Sequence, residues 1–261
     1  MKFGTPIALL AALALLAGSV SAMPLGPHFK PKWSQLPDMD QGTDYVSMHR
    51  SGGPVVVDDF QSDGRTIAGL HWWGSYFQDA MQGAERDVSF EISFHQDCPA
   101  NDATCNNGGP FPYSTPRDGT YFSVIVDAEE DFFGTTAGGE DVYEYWLDLT
   151  GIPGPDFWGG TWNEVAGEIY WVDIAWASGQ FGTPFADNVW GWHETADHNL
   201  DAAVTTAAGV GGNPHVGPWT ELTGRDMAFE VMTVPEPASL ALLSLGLAGL
   251  GFRRRQQGQT K

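Results

Sequence analysis

Residues 87–95 read Asp87-Val88-Ser89-Phe90-Glu91-Ile92-Ser93-Phe94-His95, and their alternation decides the fold class. Val88, Phe90, Ile92 and Phe94 fall on one face of an extended chain, and Ser89, Glu91, Ser93 and His95 on the other. A period of two with β-branched and aromatic residues predicts a half-buried strand. Seven further stretches carry strand patterns between turn residues: 55–60, 66–77, 121–127, 141–149, 167–177, 189–193 and 227–234. Ser62-Asp63-Gly64-Arg65 is a turn, with glycine where a positive φ is cheap. The one place suited to a short helix is 197–210, around His198 and Asp201. About eight strands, with room for ten, and 33 glycines predict an all-β fold: an antiparallel, jelly-roll-like β-sandwich over residues 55–233.

The two ends read as targeting segments. At the start, Lys2 precedes an apolar run over 7–18, and Val20-Ser21-Ala22 is a small-residue cleavage site. Residues 1–22 are thus expected to be a signal-peptide helix, with the Sec translocon and signal peptidase as its partners. Residues 23–54 contain several prolines and read as an extended lead-in. At the other end stand Val234, Pro235, Glu236 and Pro237, then a short hydrophobic helix expected over 238–252, then Arg253, Arg254 and Arg255. Prolines on both sides of Glu236 favour an extended, accessible tripeptide. The 15 apolar-rich residues make roughly 22 Å of helix, short of a ~30 Å hydrocarbon core, which suits a transient inner-membrane insertion. The arginines hold that end in the cytoplasm by the positive-inside rule.

This order of motif, apolar run and basic cluster over 234–261 resembles the PEP-CTERM sorting signal of Gram-negative bacteria. The resemblance implies processing by an exosortase, a membrane transpeptidase, and delivery to the cell surface or extracellular matrix. The middle region also has a family likeness. Val57-Asp58-Asp59-Phe60, Gly69-Leu70-His71-Trp72-Trp73-Gly74-Ser75-Tyr76, residues 90–95 and Met227-Ala228-Phe229-Glu230 resemble an uncharacterised β-sandwich domain of exported bacterial proteins. That likeness implies secretion and a sandwich, and no catalytic residue.

Composition narrows the partners. Once both ends are set aside, 32 of the 33 acidic residues but only 7 of the 12 basic ones remain. A chain this acidic is a poor match for nucleic acid or an anionic membrane, because each phosphate contact needs a cation. Solubility in external salt and calcium binding are both compatible with it. Asp127, Glu129, Glu130 and Asp131 form an acidic loop that could offer oxygens to calcium. Asn101, Asp102, Asn106 and Asn107 form a second oxygen-rich loop around Cys98 and Cys105, the two cysteines. In an oxidising compartment these are expected to form a disulfide that pins one loop.

Eleven tryptophans are many for a chain of this length, and strand geometry sorts several of them. Trp72 and Trp73 are adjacent, so they point to opposite faces of a strand, and one of them is either covered by a loop or exposed. Trp190 and Trp192 share a face, with His193 turned the other way. These two indoles, with Trp73, are either core or a platform on which sugar rings stack. His71 and His95 lie on other predicted strands and could converge with His193 and His198 as a zinc site. No nucleophile elbow, metalloprotease helix or phosphate-binding loop motif is present. The expectation is therefore a non-catalytic surface or matrix protein, adhesive or polysaccharide-binding. The alternatives are a secreted carbohydrate-active enzyme using an Asp/Glu pair and a structural matrix component without a small ligand.

Overall fold

The computed structural model describes residues 29–49, 53–77, 88–106, 109–119, 122–150, 164–177, 189–206 and 217–234. The expected terminal helices, the signal peptide and the tail beyond Val234 lie outside them. The described residues form two seven-stranded sheets in which all paired strands are antiparallel. The first sheet comprises β1 (Lys30–Gln35), β2 (Asp44–Val46), β4 (Gly69–Phe77), β8 (Glu129–Thr135), β9 (Asp141–Asp148), β11 (Val189–His193) and β14 (Phe229–Thr233). The second comprises β3 (Val56–Gln61), β5 (Ser89–Cys98), β6 (Thr115–Pro116), β7 (Phe122–Asp127), β10 (Ile169–Trp176), β12 (Val204–Thr206) and β13 (Trp219–Glu221).

β4 is the hub of the first sheet. One of its edges pairs with β9 from Gly69↔Asp148 to Gly74↔Tyr143. The other edge is shared by two strands: Gly69 to Trp72 pair with β14, and Gly74 to Phe77 with β11. Gly74 stands where the Trp190 ring crosses the strand, and a Cβ there would clash with that ring. In the second sheet β10 runs between β3 and β5, its inner residues Val172 and Ile174 fully buried.

One apolar core joins the sheets. Leu70, Trp72, Tyr145, Trp190, Trp192, Phe229 and Val231 come from the first, and Phe60, Phe90, Ile92, Phe94 and Ile174 from the second. This is the expected sandwich-like arrangement, with all eight anticipated strands in place and six more among the described residues, beyond the ten allowed for. β5 departs from the expectation of a half-buried strand, because Ser93 and His95 on its outer face are as buried as Phe90. Their neighbours Asp173 and the carbonyl of Gly119 supply the hydrogen bonds that make this polar burial tolerable.

Two other expectations are corrected. The lead-in over 23–54 contains β1 and β2, which pair with β14 and β11. Pro31 disguised β1: it sits on an edge strand next to a register shift, where a missing N–H is tolerated. The short helix over 197–210 is not formed in its described part, since Val204 to Thr206 pair with β13 and, at Val204 and Thr205, with β3. A second, smaller apolar cluster covers the outer face of the second sheet, where Phe111 and Tyr113 pack against Val57, Trp171 and Trp219. The loop that carries those two rings is tied to β5 by the expected Cys98–Cys105 disulfide.

Candidate functional site

The outer face of the first sheet is built by alternation. With Leu70 and Trp72 turned inward, β4 must send His71, Trp73 and Ser75 outward. Register then places Glu230 of β14 and Trp146 of β9 opposite His71, and Glu144 opposite Trp73. The His71 ring stacks on Trp146, centroids 3.5 Å apart and planes at 12°. Its Nδ1 lies 3.0 Å from Glu230 Oε2 and its Nε2 3.0 Å from Glu144 Oε2. Both nitrogens can donate at once only from the imidazolium form. Ser34 of β1 donates a further hydrogen bond to Glu230 at 2.7 Å. Burial alone would raise the Glu230 carboxyl, but the His71 and Ser34 bonds outweigh it and hold it below the ordinary value.

A second cluster lies farther along the same face. Ser75 is 2.7 Å from Asp44 and 3.1 Å from Glu140, and His193 Nδ1 lies 3.0 Å from Asp44 while Nε2 meets the Asp38 carbonyl. Burial works against a charged His193; the hydrogen bond and charge of Asp44 reverse this and raise it. Burial, then the charge of Asp44, raises Glu140. Between the two clusters Trp73 closes the surface beneath Val142, Ala228, Met39 and Phe133.

On the second sheet Ser93, His95 and Asp173 meet, but not as a proton relay. Ser93 and Asp173 both approach His95 Nε2, at 2.9 and 3.1 Å, while Nδ1 faces the Gly119 carbonyl. A relay needs the serine and the carboxylate on opposite ring nitrogens. All three side chains are buried.

Residues 31–232 match a family described as a domain of unknown function, DUF7901, and residues 233–255 match the PEP-CTERM protein-sorting motif. The chain belongs to the DUF7901 family. Neither a curated protein nor a solved structure matches it. The sorting motif spans Val234, Pro235, Glu236, Pro237 and Arg253 to Arg255, and implies export to the cell surface or beyond through an inner-membrane intermediate, with an exosortase as processing partner. It abuts the DUF7901 domain directly, since β14 ends at Thr233.

Within the DUF7901 domain the sugar platform of Trp190, Trp192 and Trp73 is overturned. Trp190 and Trp192 have no exposed surface: Trp190 packs edge-on against Phe90 and donates to Tyr145 Oη at 3.2 Å, and Trp192 donates to the Ala228 carbonyl at 2.9 Å. Trp73 faces outward but is covered to 2% exposure. The calcium loop is overturned as well. Asp127 ends β7, and Glu129, Glu130 and Asp131 belong to β8, whose alternation sends Glu130 to the Tyr76 hydroxyl at 2.7 Å and the other two the opposite way. The histidines do not converge, because His71, His95, His193 and His198 each meet a different carboxylate set. Among the described residues no three His, Cys, Asp or Glu side chains are placed to hold a metal ion. Sequence reasoning missed Glu144, Trp146 and Glu230. The signal was there in the alternation of Val142, Glu144 and Trp146 against Tyr143, Tyr145 and Leu147.

Proposed function

We propose that the DUF7901 domain is a non-catalytic polysaccharide-binding module, displayed at the cell surface or in the extracellular matrix after exosortase processing, with the sugar lying over Trp146. Support comes from the chemistry of the outer face of the first sheet. Trp146 is a partly exposed indole held flat against His71 and bordered by the carboxylates Glu144 and Glu230. Sugar C–H faces stack on such rings while carboxylate oxygens accept from hydroxyl groups. The exposed acids Glu129 and Asp131 on the neighbouring strand add acceptors, and their charge favours a neutral glycan over a polyanionic one.

The engagement of His71 with both Glu144 and Glu230 favours binding over hydrolysis. A glycosidase holds its two carboxyl groups across the bond to be cut. Here an imidazole occupies the space between them. Calorimetric titration of the exported chain with neutral and acidic exopolysaccharides tests the reading. Trp146→Ala is expected to weaken neutral-glycan binding about tenfold or more, from stacking worth on the order of 1.5 kcal/mol, with an unchanged melting temperature. Flat titrations throughout support a structural matrix role instead. Release of reducing ends, lost on Glu144→Gln, moves the domain to the enzymes.

A further inference from the structure

β3 carries adjacent aspartates, Asp58 and Asp59, that are both fully buried. Asp58 is well provided for: Oδ2 accepts from the Met227 N–H at 2.7 Å and from Gln35 at 3.3 Å, and Oδ1 from the Asp59 N–H at 2.9 Å. Asp59 is not. Its Oδ2 accepts one long bond from the Asp201 N–H at 3.3 Å, and its Oδ1 is buried with no hydrogen-bond partner. Asp226, next to Met227, repeats the pattern: Oδ2 accepts from Asn199 N–H at 3.1 Å and lies 3.3 Å from His198 Nδ1, while Oδ1 is buried and unpartnered.

The charges around the cluster make this costly for anions. Asp59 faces Asp58, Asp201 and Asp226, and Asp58 faces Asp226. Across the sheet Trp171 pairs with Asp59 in register and gives its indole N–H to Asp97, another carboxylate near Asp201. From β1 the neighbour of Asp58 is the neutral Gln35. The basic side chains nearby are His198, more than half exposed and facing Asp226, and Arg117, whose charge acts on Asp97. A buried carboxylate ringed by carboxylates, with one oxygen unpaired, is far more stable as the neutral acid.

We propose that the Asp58–Asp59–Asp226 cluster is a pH-sensitive lock: the folded domain keeps a proton on it at neutral pH, and alkaline conditions loosen the contact between β3 and the Asp201 and Asp226 segments. Burial first, and the charge of Asp58 second, push the Asp59 carboxyl up to about 10; burial raises Asp58 and Asp226 too. Unfolded aspartate releases its proton near 3.8 and the folded one retains it, so this contribution to stability is complete below that pH and declines as pH rises toward 10.

The test is equilibrium denaturation of the exported chain at pH 5, 6.5 and 8, compared with Asp59→Asn, a near-isosteric change that needs no proton. For each proton retained the unfolding constant of the wild type rises up to about tenfold per pH unit, and Asp59→Asn removes about one proton from that slope. Equal slopes in the two proteins overturn the proposal. Asp226→Asn serves as a second probe if Asp59→Asn does not fold, and must also flatten the slope. Millimolar calcium added at pH 8 completes the experiment. A large stabilisation of the wild type that vanishes in Asp59→Asn would show a cation site in place of the proton.

Discussion

Trp192→Ala separates a core indole from a surface one. Trp192 has no exposed area, stands edge-on to Phe229 with centroids 5.7 Å apart, and donates its Nε1–H to the Ala228 carbonyl. Truncating such a ring costs ~3–5 kcal/mol through lost transfer energy and the cavity left behind. The Ala228 carbonyl loses a buried donor as well, which adds about 1 kcal/mol. We expect a total of about 4–6 kcal/mol, much of the ~5–15 kcal/mol that holds a domain together. At ~2–4 °C per kcal/mol for a domain of this size, the melting temperature should fall by about 8–24 °C. Urea denaturation followed by far-ultraviolet circular dichroism measures it, with Trp192→Phe as a milder control that keeps most of the volume. A Trp192→Ala protein within about 1 kcal/mol of wild type would refute the reasoning, since no fully buried indole is removed at so small a cost.

His193→Gln should narrow the pH range over which the first sheet is most stable. A raised histidine contributes its stability fully below its ordinary value of 6.5, and loses it as pH rises through the folded value. The gap in melting temperature between wild type and His193→Gln should therefore be larger at pH 5.5 than at pH 8; a constant gap argues against the ion pair with Asp44. Replacing Cys98 and Cys105 by serine opens a short loop and should cost at most ~2–3 kcal/mol, read by denaturation with and without reductant. A cost above that would mean that the loop bearing Phe111 and Tyr113 has come off the second sheet altogether.

Alternation was the legible part of the fold. It placed Phe90, Ile92 and Phe94 inside, and it separated Trp72 from Trp73 and Trp190 from His193. What it could not show was the cover on the outer faces. Ser93 and His95 look solvent-facing in a period-two pattern, yet their partners Asp173 and Gly119 come from distant parts of the chain. β8 was hidden because its acidic start, Glu129-Glu130-Asp131, reads as a solvated loop; pairing along β9 from Trp146 to Asp141 overrides that local preference. The site was hidden for a related reason. Glu144, Trp146, His71 and Glu230 come from three strands, and only register brings them together.

β14 lies between β1 and β4, with ladders on both of its edges, and the sorting motif follows it without a spacer. A pull applied at Thr233 along the strand therefore loads an interior strand. In that geometry the bonds of both ladders resist in shear and must yield together, whereas an edge strand pulled sideways unzips one bond at a time. The speed at which a molecule held this way fails under drag is set by its forced unfolding rate rather than by its equilibrium stability. Drawing β14 out along its axis thus requires the ladders to β1 and β4 to fail together.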